Sequence, residues 1–347
     1  MGVDLLFTTI VWCFFRCQET DHGSHGCFSP PISQSEHSRN PHGIMIQLVE
    51  CVPNISEGRD LKVIDTLTKV VQDVEGVAVL DRHIDPDHHR SVFTIAGFPD
   101  VTMRAAYELV RVAQELIDLS QHNGGHPRVG VVDVIPFIPL RSMTMEECKS
   151  LAEKLGAMIG AALEIPVFLY GEASVKRPKL QLESIRAGGQ DGLSKRLASE
   201  AEWHPAFGPT HLHPTSGAIA IGARDFLIAY NVILESNDLL LAQRIAKTIR
   251  TSGGGLPSLK AMGVALTSRD QVQVSMNLTN YRETSMYDAY RAVQQEAKRY
   301  GVGIEESELV GLAPQAAIPS EHMEVLKFRA WKSDQVLEAR LAQVGFV

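Results

Sequence analysis

The chain has 347 residues, a formal net charge of -8 and a sequence pI near 5.9, with 44% hydrophobic and 21% charged residues. That length and balance suit a soluble globular protein of two ordinary domains. The acidic balance argues against a general nucleic-acid or anionic-membrane binder, so any anion site must be assembled from local basic residues.

Three of the five cysteines (Cys13, Cys17 and Cys27) fall in the first 27 residues, and only Cys51 and Cys148 remain in the body. That usage fits a reduced, cytoplasmic protein rather than a disulfide scaffold. The apolar stretch from Val3 to Phe15 is interrupted by Asp4 and has no basic residue before it, which makes a poor signal peptide, and it is too short to span a membrane. Residues 18–43 are rich in Ser, His and Pro without periodicity and predict disorder. Residues 1–44 are therefore read as a disordered N-terminal extension. Met45, just before the first strand-like run, is an alternative start of translation.

In chain order, Ile46 to Val52 reads as a strand, and Leu61, Ile64, Leu67, Val70, Val71 and Val74 recur at helical spacing. Val77 to Leu80 and Ser91 to Ala96 predict two strands, Val101 to Leu119 a helix, and Val131 to Ile138 a fourth strand. Thr144 caps a further helix from Met145 to Leu163, followed by the apolar run Val167 to Tyr170. Residues 171–200 read as a polar connection with helical pieces. The pattern then recurs with a strand at Phe226 to Leu234, a helix at Asp238 to Ile249, and strands at Leu259 to Leu266 and Val272 to Leu278. A helix at Tyr287 to Tyr300 and a strand at Glu308 to Leu312 complete it. The expected fold class is α+β: two ferredoxin-like (βαββαβ) subdomains, residues 45–200 and 201–320, with a ligand cleft between them and a C-terminal tail over 321–347. The tail, with Trp331 and an amphipathic Val336 to Val344, reads as a docking segment.

Four stretches carry polar groups suited to chemistry. The first, Val52 to Gly58, reads either as a helix-entry loop capped by Ser56 or Asn54 or as a strand end lining a cleft. The second, His83 to Arg90, holds three histidines and two aspartates; its Asp87-His88-His89 matches a tripeptide of manganese phosphoesterases, yet further acidic ligands are missing. Arg90 is the better binding candidate, because a guanidinium pairs bidentately with a carboxylate. The third is the loop Gln121 to Gly130, where His126 lies between Gly124-Gly125 and Pro127-Arg128. A histidine on such a turn can both donate and accept a proton near neutrality, and Asp133 either orients it or belongs to a buried network. The fourth is Glu202 to Ala218, whose Trp203 and Phe207 suit a flat heteroaromatic ligand if the loop lies beside the cleft.

Together these stretches resemble the glutamate formimidoyltransferase family. VECVPNISEG, HPRVGVVDVIPFIPL, VFLYGEA, GPTHLHPTSGAIAIGARDFLIAYNV and SELVGLAP occur in the family's order over roughly residues 46 to 315. The resemblance implies transfer of a formimidoyl group from N-formimidoyl-L-glutamate to tetrahydrofolate, as co-substrate, by a cytoplasmic homodimer working in histidine degradation. It carries the catalytic acid/base onto His126 and the folate-binding segment onto Gly208, Pro209, Thr210, His211, Leu212, His213, Pro214, Thr215, Ser216 and Gly217. Arg90, Asn54 and Asp133 are the candidate substrate-binding residues. No metal, nucleic acid or membrane partner is expected. Two positions depart from the animal members, which usually carry Glu at the position of Gly125 and Asn at that of His89. No cyclodeaminase segment follows, so that second reaction is not expected. The alternatives are a catalytically silent folate-binding relative and a metal-dependent phosphoesterase using His83 to His89.

Overall fold

In the computed structural model, which describes residues 46–123, 127–176 and 179–346, the first predicted strand is broken in two. Val49–Cys51 (β1) and Asn54–Ile55 (β2) flank Pro53, which has no N–H to give to a ladder. Both pieces lie between Arg90–Gly97 (β4) and Val132–Pro139 (β5), antiparallel to each. Val77–Asp85 (β3) pairs with β4 along its whole length, five residues beyond the predicted end at Leu80. The polar stretch reads as a loop locally, but a bulge between Val79 and Asp81 lets the hairpin continue with Arg82 turned to Asp65 of Leu61–Gln72 (α1) at 2.5 Å.

Helices form where the apolar spacing predicts them. Asp60, rather than Ser56 or Asn54, caps α1, its Oδ1 accepting the Lys62 N–H at 2.9 Å and the Val63 N–H at 3.3 Å. Pro99–Leu116 (α2) starts with its proline in the first turn, where the missing N–H costs nothing. Thr144 and Glu147 form a reciprocal cap on Met145–Ala162 (α3), as the sequence predicts for Thr144. Ile64, Leu67, Leu109, Leu155 and Ile159 from these three helices pack with Phe93, Ile95 and Phe137 on one face of the sheet.

The sheet then grows by two parallel strands. Val167–Gly171 (β6) is at the edge, and Ile219–Ala223 (β7) inserts between β6 and β5. A strand at 219–223 is absent from the sequence reading, where Gly208 to Ala218 runs as loop to a strand at Phe226. Its register partners lie 50 or more residues upstream, at Val134 and Val167, so the local sequence carries only the short alternation Ile-Ala-Ile. The connection predicted over 171–200 contains Leu182–Arg186 (α4) and Gly189–Ser199 (α5), which cover the sheet's other face through Ile185, Leu193 and Leu197.

The second sheet contains Ile228–Leu234 (β8), Leu259–Leu266 (β9), Gln271–Leu278 (β10) and Ile304–Val310 (β11), ordered β11-β8-β10-β9. Leu239–Ile249 (α6) and Met286–Arg299 (α7) pack on one face over Tyr230, Val232, Val274 and Met276. The order repeats that of β5, β1/β2, β4 and β3 in the first sheet: the first strand in sequence lies between the fourth and the third, and the second is at the edge. By strand alternation, Asn231, Gln273 and Ser275 point to the face opposite the apolar core.

Several contacts join the sheets. Ser268 Oγ donates to Asp87 Oδ2 at 2.6 Å, and Lys260 Nζ meets Glu183 Oε1 at 2.7 Å. The tail completes the seam: Leu337 and Leu341 of Leu337–Gln343 (α8) bury against Leu80 and Ala96 of the first sheet, and Trp331 packs at the edge of the second core. Among the described residues no helix is long and apolar enough to cross a membrane.

Candidate functional site

The site is built where β2, the β3–β4 turn and the start of β5 converge. Asn54, Ile55, Ser56, His88, His89, Arg90, Arg128 and Asp133 line a pocket of about 210 Å³ that opens to solvent. All three predicted substrate-binding residues, Asn54, Arg90 and Asp133, are in this wall. His126, with Gly124 and Gly125, lies outside the described residues.

Each wall residue is held by the fold. Ser56 Oγ donates to Gly130 O at 2.7 Å and Ser56 N–H to Val131 O at 2.7 Å, fastening the end of β2 to the loop before β5. Asn54 is buried and gives its amide to Val52 O at 2.9 Å. Asp133, only 4% exposed, takes the Val129 N–H on Oδ1 at 2.7 Å and Arg186 Nε on Oδ2 at 2.8 Å, with Arg186 Nη2 also bonded. Asp133 thus belongs to a buried polar network.

That network sets the pocket's charge. Two guanidinium groups, Arg90 and Arg128, and one carboxylate, Asp133, face it, and the carboxylate is engaged by a third guanidinium, Arg186. Arg90 and Arg128 thus bring two cationic groups to a partly desolvated wall, an arrangement suited to an anion. Burial, and then the neighbouring Arg186, lower Arg90 to about 10, which leaves it cationic at neutral pH.

Beside the cations stands a neutral pair. The rings of His89 and His122 stack with centroids 4.2 Å apart, and His122 Nε2 lies 2.8 Å from His89 O. Arg128 Nη2 donates to His122 O at 2.9 Å, tying together the two ends of the segment that carries His126. Burial lowers His122 to about 4, with the Arg128 and His89 charges reinforcing it and the bond to the His89 carbonyl opposing it, so the ring is neutral at pH 7.

The His83 to His89 stretch, the metal-dependent alternative, does not converge. Asp85 accepts the His88 N–H at 2.9 Å and pairs with its ring, Asp87 turns to Ser268, and His89 faces Gly58 and Glu57. Among the described residues no group of three or more His, Cys, Asp or Glu side chains is placed to hold a metal ion. The phosphoesterase reading therefore finds no support.

The segment Gly208 to Gly217 runs from the end of α3 to the mouth of β5. Gly208, at φ +82, packs on Gly160 of α3, and Gly217, at φ +71, bridges to Gly130. Pro209 and Leu212 are half-buried, the latter beside Trp203, while Thr210, His211 and Pro214 are exposed. His213 Nδ1 accepts the Ser216 N–H at 3.1 Å, and its Nε2 lies 3.0 Å from Gln114 Nε2. Thr215 O accepts the Leu119 N–H at 2.8 Å. The Ser216 hydroxyl is buried in a small void under α2, on the face away from the arginine pocket.

The aromatic residues predicted to offer stacking faces are occupied. Arg196 lies 4.3 Å over the Trp203 ring, and Phe207 fills the groove left by Gly156 of α3, where a Cβ would come within 2.9 Å of its ring. His122, Arg128, Arg186 and Glu57 are structural members of the site that the sequence reading leaves without a role. Arg128 and His122 flank His126 in sequence, which is a usable signal; Arg186, 53 residues from Asp133, offers none.

Comparison with known proteins shows the family. The formiminotransferase domain's N-terminal subdomain matches residues 48–224, and the formiminotransferase domain matches residues 229–329. A glutamate formimidoyltransferase of Streptococcus pyogenes is 41% identical over 79% of this chain and 91% of its own. One of Thermoplasma acidophilum is 42% identical over 86% of this chain and 99% of its own. The formimidoyltransferase-cyclodeaminase of Mus musculus is 39% identical over 79% of this chain and 51% of its own. The chain belongs to the formiminotransferase family.

Proposed function

We propose that the protein is a glutamate formimidoyltransferase, moving the formimidoyl group of N-formimidoyl-L-glutamate to tetrahydrofolate. The observation that supports this reading, beside family membership, is the pocket lined by the cationic Arg90 and Arg128. Tetrahydrofolate is the co-substrate, and the exposed part of the Gly208 to Gly217 segment is its proposed contact. The polar face of the second sheet, with Asn231, Gln273 and Ser275, supports a cleft between two ferredoxin-like units, and the shared strand order supports that name for them. We place the division between the units at residues 224–228, since β7 lies in the first sheet.

In the chemistry proposed, a folate nitrogen attacks the amidine carbon, forming a C–N bond and a tetrahedral centre. His126 takes the proton that the attacking nitrogen loses and returns it to the glutamate nitrogen, which leaves as an amine when its C–N bond breaks. Such proton transfer contributes about 10²–10⁴ in rate. Arg90 and Arg128 hold the glutamate carboxylates so that the amidine is presented in one orientation. A homodimer in the cytoplasm, serving histidine degradation, is the accompanying physiological proposal.

Incubating the purified protein with N-formimidoyl-L-glutamate and tetrahydrofolate, and following 5-formimidoyltetrahydrofolate by its absorbance, tests the activity. Product and free L-glutamate in equal amounts are expected. Folate binding without product would overturn the reading in favour of a silent relative.

A further inference from the structure

His89 occupies the turn between β3 and β4 in the left-handed region, at φ +51. Its side chain is mostly buried, stacked on His122 on one side and facing the entry to α1 on another. There Nδ1 accepts the Gly58 N–H at 3.1 Å. A ring nitrogen that accepts an N–H carries no proton, so in the neutral ring the proton is on Nε2.

The neighbouring carboxylate does not reverse this assignment. Glu57 Oε1 lies 3.3 Å from His89 Nδ1, but it accepts the N–H groups of Arg59 and Asp60 at 2.7 and 2.9 Å and shares that of Gly58 with the ring. Burial lowers the His89 pKa, with Arg59 and Arg128 acting the same way and Glu57 opposing them, so the ring is neutral at pH 7. His122 gives its own Nε2–H to the His89 carbonyl, and its Nδ1 has no hydrogen-bond partner among the described residues, so no bond runs between the two rings' other nitrogens.

His89 is part of the wall of the arginine-lined pocket, its neutral ring keeps a donor on Nε2, and among the described residues no hydrogen bond from that nitrogen is present. We propose that His89 is a specificity-determining residue of that pocket, its Nε2–H donating to a carboxylate of the N-substituted glutamate held by Arg90 and Arg128. This rests on the activity proposed above. Two cations attract any small anion, whereas a directional neutral donor distinguishes a carboxylate oxygen in one position from the same charge elsewhere. Losing a hydrogen bond to a charged group weakens binding by about tenfold or more.

Two substitutions separate the donor from the fold. Glycine adopts φ +51 without strain, so His89→Gly removes the ring and keeps the turn. Asparagine tolerates the same region and carries an amide N–H, so His89→Asn keeps a donor. In full-length protein, His89→Gly is expected to raise KM for N-formimidoyl-L-glutamate about tenfold and leave KM for tetrahydrofolate unchanged. His89→Asn is expected to recover most of that loss, with melting temperatures tracking neither change. Calorimetric titration of L-glutamate alone should show the same ranking. Unchanged KM and glutamate affinity in His89→Gly, or equal damage in both variants, would overturn the proposal. An unsubstituted protein that binds L-glutamate, more weakly after His89→Gly, yet turns over no donor, would contradict the proposed activity and leave the role of His89 standing.

Discussion

The two sheets are built on one strand order but differ in what they bury. The first accepts three extra segments, β6, β7 and the α4–α5 connection, and with them a largely buried ion pair between Asp133 and Arg186. It also buries Glu50 in the middle of β1, pairing in register with Ala96 and Ile138. The second sheet keeps its ion pair, Arg269 with Glu306, half-exposed at an edge, and its interior is apolar with two tyrosines, Tyr230 and Tyr290. The difference teaches that the repeat supplies a scaffold, and that the added strands of the first unit supply the desolvated charge on which an anion pocket depends.

Breaking the buried pair should cost most. Arg186→Met takes the paired guanidinium from the buried Asp133 carboxylate, which still accepts the Val129 N–H, and is expected to destabilise by about 3–5 kcal/mol in chemical denaturation. A loss below about 1 kcal/mol would make the first unit's pair no different from the second's.

Glu50 gives the next effect, visible as pH dependence. Burial raises its carboxyl from 4.5 to about 7, with Arg224 opposing. A folded pKa above the unfolded value means that the contribution is complete below about 4.5 and lost as pH rises through about 7. Glu50→Gln should therefore flatten the stability profile between those limits by roughly 3 kcal/mol, gaining on the unsubstituted protein at pH 8. Parallel profiles for the two proteins would contradict the account of a desolvated strand centre.

Smaller again is the junction of the Gly208 to Gly217 segment with β5. A Cβ on Gly217, at φ +71, would come within 2.1 Å of Val129 O, a carbonyl fixed by the Ala218 N–H at 2.9 Å. Gly217→Ala should cost about 1–3 kcal/mol, read as a lowered denaturation midpoint. Least is expected from Arg269→Met in the second unit, below about 1 kcal/mol, because solvent replaces most of what the partly exposed pair supplies.

Much of this architecture is legible in the chain because its elements are locally encoded. Thr144 with Glu147 three residues on marks α3, and the spacing of Ile64, Leu67 and Val71 marks α1. What escapes is long-range. β7 exists because β5 and β6 leave a parallel slot between them, and nothing in Ile219 to Ala223 announces partners at Val134 and Val167. The hairpin from Asp81 to Asp85 escapes for a related reason, since its polar side chains are paid for by neighbours such as Asp65 that only the fold supplies. At the site, Arg90, Asn54 and Asp133 are nameable from strand ends, but Asp133 gains its meaning from Arg186, which sits in a stretch without periodicity. The neutral His89–His122 pair is likewise invisible until the tautomers can be read from their partners.

The central proposal is that His126 moves the proton between folate and glutamate while Arg90 and Arg128 bind. The direct measurement is kcat at saturating N-formimidoyl-L-glutamate and tetrahydrofolate for the unsubstituted protein and His126→Ala. A fall of about 10²–10⁴ with little change in L-glutamate affinity is predicted. Full kcat in His126→Ala would contradict the claim.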